Sequence, residues 1–165
     1  MQPIKKVLFE QSPPLWRHIL LLWPMAVLPA LAVGGLAHLI AHALGVGQAF
    51  GLGAHPGVSL ASAFQSILFA PLVETLLLAL LIEACAFFRL NKLLIAVIAG
   101  VIAGLLHAIA SPIWFFTSAW AFFVYACAYL AWRPSSVPVA FTAAALVHAL
   151  NNLVAAVLLL LVGYS

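Results

Sequence analysis

RLNKLLIAVIAGVIAGLLHAIAS, residues 89–111, opens with Arg89 and Lys92 and then runs to Ser111 without another charge. Crossing the hydrocarbon of a bilayer takes about 20 consecutive apolar residues, so this stretch reads as a membrane-spanning helix with a basic flank at one end. Ala96, Gly100 and Gly104 recur at four-residue spacing, and Ala103 stands one turn before His107. A stripe of small residues lets a second helix approach closely. His107 is therefore expected to face protein rather than lipid.

The rest of the chain has the same character. Of its 165 residues 67% are hydrophobic and only 5% are charged, with a mean hydropathy of +1.26. Those values exclude an ordinary soluble domain. Apolar runs at approximately 18–45, 60–88, 92–111, 113–132 and 137–162 predict an all-α, polytopic membrane bundle of about five transmembrane helices. Residues 1–165 form a single integral-membrane domain in this reading, and 1–17 are a cytoplasmic interfacial lead-in broken at Pro13-Pro14. The apolar run after the first basic residues is far longer than the roughly 7–15 residues of a signal-peptide core, which predicts an uncleaved first span. Residues 46–59 read as an uncharged, glycine-rich loop. Ser111-Pro112 and Arg133-Pro134-Ser135-Ser136 read as turns.

The basic residues divide unevenly among the loops. Lys5, Lys6 and Arg17 precede the first span, Arg89 and Lys92 lie between the second and third, and Arg133 lies between the fourth and fifth. Five spans put all of these on one face of the membrane, so the positive-inside rule predicts the N-terminus in the cytoplasm and the C-terminus outside. No basic cluster of the kind that binds nucleic acid is present. Cys85 and Cys127 lie in apolar runs and read as reduced packing residues.

Polar residues inside such spans are costly and need a reason. The chain has no aspartate and three glutamates, Glu10, Glu74 and Glu83. Glu74 is 15 residues from Arg89, His107 is 15 from Lys92 and His148 is 15 from Arg133. At 1.5 Å per residue all three lie at one depth, roughly 22 Å from the basic anchors. Asn151 and Asn152 follow His148 at i+3 and i+4 and share its helix face, together with Ala144, Ala145 and Ala155, while Leu146, Leu153 and Val157 lie toward other sides. Glu83, nearer the basic end, reads as solvated or paired in the region of Arg89. His38 and His42 form an i,i+4 pair and, with His55, are candidate metal ligands. Leu39 stands where a zinc peptidase would carry its glutamate, so they read as interfacial histidines and no metal is expected.

Pro71-Leu72-Val73-Glu74, Ala103-Gly104-Leu105-Leu106-His107 and His148-Ala149-Leu150-Asn151-Asn152 resemble, in that order, the three motifs of the CAAX-protease and bacteriocin-processing (CPBP) family of intramembrane glutamic endopeptidases. That family's pattern is a Pro-x-x-Glu-Glu-x-x-x-Arg helix, a Phe-x-x-x-His helix and a His-x-x-x-Asn helix. The resemblance covers about residues 68–155. It implies a hydrolase in which Glu74 is the catalytic carboxylate and His107, His148 and Asn152 complete the site, without a cofactor. The chain departs from the pattern at Thr75 (glutamate), Ala79 (arginine) and Ala103 (phenylalanine).

Peptide hydrolysis needs a water, a base and donors for the developing oxyanion. In this reading Glu74 and His107 hold the water, Glu74 is general base and then proton donor, and His148 with the Asn152 amide stabilises the oxyanion. The expected substrate is a membrane-anchored or exported protein, such as one with a C-terminal sorting anchor, met in a bacterial plasma membrane. The departures at Thr75 and Ala79 keep open a catalytically silent relative that binds a partner in the membrane. Ionisable residues on neighbouring helices also suit a metal or proton translocator.

Overall fold

A computed structural model of the chain describes residues 2–46 and 60–163. Those residues form seven helices: α1 (Gln2–Phe9), α2 (Leu15–Ala43), α3 (Leu60–Phe64), α4 (Ala70–Phe87), α5 (Lys92–Ala108), α6 (Trp114–Trp132) and α7 (Val137–Gly163). A π-helical turn, Gln65–Phe69, joins α3 to α4. There is no strand among the described residues. Four helical segments are long and apolar enough to cross a bilayer: Leu15–Ala43, Ala61–Phe87, Trp114–Trp132 and Val137–Leu158. The chain is thus an all-α polytopic membrane protein.

The third expected span, 92–111, is the shorter α5, at 17 residues. Its start is fixed by Asn91, whose side chain accepts from the Leu94 amide at 3.0 Å. At the other end the Ala110 and Ser111 amides both turn back to the His107 carbonyl, ahead of Pro112, which disfavours helix in the residue before it. The helix is therefore roughly 26 Å long. The long apolar run 92–111 overstates it because composition does not reveal where the backbone bonds stop.

Helix α6 is the centre of the bundle. Val124 through Tyr129 are all but completely buried, and α5, α2 and α7 pack around them. The closest pairing is α5 with α6, and the glycine stripe explains it. A β-carbon on Gly100 would meet the Ala119 carbonyl oxygen at 2.5 Å, and one on Gly104 would meet Ala119 Cβ and the Phe115 carbonyl oxygen at 2.8 Å. Only glycine allows that approach.

Two prolines lie inside α2. Pro29 has no N–H to offer the Met25 carbonyl four residues back. The indole of Trp120 on α6 donates to that oxygen instead, at 2.8 Å. A neighbouring helix thus satisfies a carbonyl that hydrocarbon could not.

The basic residues gather at one end of the bundle. There Arg133 and Lys92 meet α4 and α1: Arg133 Nη2 donates to Glu83 Oε2 at 3.0 Å, and Lys92 Nζ donates to the Phe9 carbonyl at 3.3 Å. The lead-in folds onto this end and is not free. Gln11 Nε2 donates to Ser135 Oγ, and fully buried His18 links α1 to α6. Trp132 Nε1 donates to His18 Nδ1 at 2.7 Å. Indole is only a donor and a carbonyl only an acceptor, so Nδ1 is bare and Nε2–H donates to the Val7 carbonyl, 2.6 Å away.

Glu83 is paired, but not in the region of Arg89. Its carboxylate accepts from Arg133 Nε and Nη2 and from the Tyr129 hydroxyl. Arg89 lies six residues further on, about 120° around the helix, beyond a chain reversal in which its own φ is +57°. Both cysteines are free thiols, Cys127 buried and Cys85 partly so. Residues 47–59, with His55, lie outside the described residues.

Candidate active site

The three depth-matched residues meet. Glu74 Oε2 lies 3.6 Å from His148 Nε2 and 3.8 Å from His107 Nε2, so α4, α5 and α7 each bring one group to one point. His148 is almost fully enclosed, with 3% of its side chain exposed, whereas Glu74 and His107 are about one third exposed, at 33% and 32%. Both separations exceed a direct hydrogen bond. A water bonded to both partners of either contact would lie beside the line that joins them.

Each imidazole is held by its other nitrogen. His107 Nδ1 is 2.8 Å from the Ala103 carbonyl one turn back, and a carbonyl can only accept. Nδ1 therefore carries a proton, and in the neutral ring Nε2 presents a lone pair to Glu74. A lone pair facing an ionised carboxylate is repulsive, and a proton shared between His107 Nε2 and Glu74 makes the contact attractive. His148 Nδ1 faces the hydroxyl of Thr75 at 3.4 Å. Its ring stacks on Tyr125, with centroids 4.4 Å apart and an interplanar angle of 21°. Phe122 stands between the histidines, with centroids 5.4 Å from His107 and 5.1 Å from His148.

Asn152 is held elsewhere, and the chain's own backbone explains why. The π-turn sends the Ala70 amide to the Gln65 carbonyl rather than to Ser66. Pro71, which follows, has no amide hydrogen. The Ser66 carbonyl is left without a helical donor, and Asn152 Nδ2 supplies one at 2.9 Å. The amide that the sequence put beside His148 as an oxyanion donor thus pins the entry to α4 against α7. Asn151 buries its Oδ1 without a hydrogen-bond partner among the described residues. Ala144 and Ala145 are buried, and Leu146, Leu153 and Val157 are exposed, as the face assignment requires. Ala155 is exposed and Ala156 is buried in its place, so the packed face has rotated by one residue two turns beyond His148.

A cavity of about 300 Å³ adjoins the carboxylate between α4 and α5. Glu74, His107 and Phe122 line it, with Leu77, Leu78 and Leu81 from α4 and Ala99, Ile102 and Ala103 from α5. On both helices the apolar lining runs from the acid and imidazole toward the basic end. Its walls are hydrocarbon except at that one pole.

Sequence reasoning passed over Thr75, Tyr125 and Phe122. Thr75 entered only as a departure from a motif, yet it is completely buried and touches His148. Ala79, the second departure, is buried in the core one turn further on. Where the motif has two charges this chain buries a hydroxyl and a methyl group. His38 and His42 are exposed near the end of α2. No group of three or more His, Cys, Asp or Glu residues is arranged to hold a metal ion among the described residues.

No family model, curated protein or solved structure matches the chain.

Proposed function

We propose that the chain is an intramembrane endopeptidase of the glutamic type, resembling the CPBP family, in which Glu74 activates water for peptide hydrolysis. The observation that carries this reading is a carboxylate held 3.6 and 3.8 Å from two imidazole nitrogens on separate helices, at the pole of an apolar cavity. One water beside this trio can bond to the carboxylate and an imidazole together. Glu74 takes its proton as general base while His107 shares the charge, and Glu74 then returns a proton to the leaving amine. His148 donates to the oxyanion, a contact of the kind often worth about 3 kcal/mol. Asn152 acts by holding the turn from which the Glu74 helix starts.

The cavity's hydrocarbon walls suit apolar side chains of a membrane-anchored or exported protein, met in a bacterial plasma membrane with the basic end of the bundle in the cytoplasm. Terminal-peptide mapping of membrane proteins tests the reading, in cells carrying the parent chain or Glu74→Gln at equal abundance. New protein termini that require Glu74 are the expected result. Identical termini in both would leave a silent binding protein. Proton flux into protein-loaded vesicles that Glu74→Gln abolishes, without any cleavage, would make the trio a translocation path.

A further inference from the structure

We infer that Thr75 is a positioning residue that fixes the tautomer of His148, so that the ring's Nε2–H, rather than its lone pair, faces Glu74. The inference rests on the peptidase reading only for its catalytic consequence; the tautomer follows from geometry. Thr75 lies on α4 next to Glu74 in sequence, so successive residues of one helix address the two ends of one imidazole. Its hydroxyl is fully buried and meets His148 Nδ1 at 3.4 Å. Other threonines of the bundle, Thr117 and Thr142, return their hydroxyls to backbone carbonyls three or four residues back. Thr75 directs its hydroxyl across to α7.

The Glu74 side decides the direction of that bond. Glu74 Oε2, an acceptor when ionised, lies 3.6 Å from His148 Nε2. If Thr75 accepted from Nδ1–H, the bare Nε2 would point at the carboxylate. If Thr75 donates to Nδ1, Nε2 carries the hydrogen and points it at the carboxylate and at whatever oxygen lies between them. With Glu74 ionised, only the second arrangement is attractive at both ends. Tyr125, stacked on the ring face, holds the plane in which this hydrogen lies.

The two histidines then differ in state around one carboxylate. With Glu74 ionised, His107 donates from Nδ1 to its own helix and holds at Nε2 the proton it shares with Glu74. His148 accepts at Nδ1 from Thr75 and offers Nε2–H as a donor. Glu74 as the base and His148 as the donor beside one reacting oxygen are what hydrolysis requires.

Nitrogen-15 NMR of the full chain in lipid bilayers reads the tautomer directly, with His148 identified by the resonances lost in His148→Gln. In the parent, His148 should carry its hydrogen on Nε2. Thr75→Val keeps the shape without the hydroxyl and should populate the Nδ1–H form. Formation of Glu74-dependent termini, per folded molecule, should then fall roughly 10- to 10²-fold, as for loss of one oxyanion donor. Thr75→Ser should restore both tautomer and rate to within a few-fold of the parent.

A parent His148 protonated on Nδ1 overturns the inference, whether or not any variant folds. So does an unchanged tautomer in Thr75→Val, or a shifted tautomer with parental cleavage. Absence of any Glu74-dependent cleavage would instead overturn the peptidase reading, and the NMR result would still judge the hold of Thr75 on His148.

Discussion

Helix α4 carries two glutamates nine residues apart, roughly 14 Å along its axis, and they are treated oppositely. Glu83 is saturated. Both its oxygens accept from the Arg133 guanidinium, and the Tyr129 hydroxyl adds a third bond. Glu74 has two basic nitrogens in view and reaches neither within hydrogen-bond distance. A cavity opens beside it. Bonds already made hold helices together, whereas a carboxylate with unmade bonds and open space beside it can take a ligand and exchange a proton with it. The same chemical group is thus a rivet near the end of the helix and, in the proposed function, a reagent near its start.

The contrast can be broken or sharpened by substitution. After Glu74 itself, the largest effects are expected at the imidazoles. His107→Ala and His148→Ala should each lower cleavage by roughly 10²- to 10³-fold per folded molecule, measured as Glu74-dependent termini against detergent-extracted, monodisperse protein. Losses confined to protein abundance would place the histidines with Glu83 as packing groups.

Arg133→Ala should show the opposite pattern. It strips Glu83 of its charged donor and should cost about 1–3 kcal/mol of stability, read as a lower thermal midpoint in micelles. Cleavage by the molecules that remain folded should stay within a few-fold of the parent.

Asn152 and Asn151 separate holding from spare polarity. Asn152→Ala removes the side-chain donor on the Ser66 carbonyl and should cost about 1 kcal/mol, with turnover changed less than about tenfold. Asn151→Ala deletes an acceptor that is already unpaired and should leave the melting midpoint at or above the parental value. Equal destabilisation by both would show that Asn151 has a partner after all. The smallest effect is expected at the exposed pair His38 and His42, where alanine at both should leave cleavage within about twofold, since neither touches α4, α5 or α7 in any bond described. A complete loss restored by added zinc would contradict this.

Much of the arrangement can be read from the chain because a bilayer imposes a common ruler. Equal counts from Arg89, Lys92 and Arg133 put Glu74, His107 and His148 at one level, and in the structure they meet. The glycine stripe of α5 likewise announces a close neighbour, although not that the neighbour is α6. What escapes a linear reading is azimuth and exchange of backbone bonds. Tyr125 sits in a helix apolar on every side, so no periodicity singles out the face that meets His148. The π-turn has no signature beyond Pro71, yet it frees the carbonyl that claims Asn152. Glu83 chose Arg133 over Arg89 for the same reason, since sequence distance says nothing of which side of a helix a residue faces.

The comparison of the two glutamates turns on one measurement, made on Glu74→Gln and Glu83→Gln side by side. Each is brought to equal amounts of folded protein in the membrane, and the rate at which Glu74-dependent termini appear is recorded together with the thermal midpoint. We expect Glu74→Gln to abolish cleavage to below roughly 10⁻³ of the parent at a nearly unchanged midpoint, and Glu83→Gln to lower the midpoint while cleaving within a few-fold of the parental rate. Cleavage retained by Glu74→Gln, or lost equally in both at equal folded amounts, would contradict the assignment of Glu74 as the reacting carboxylate.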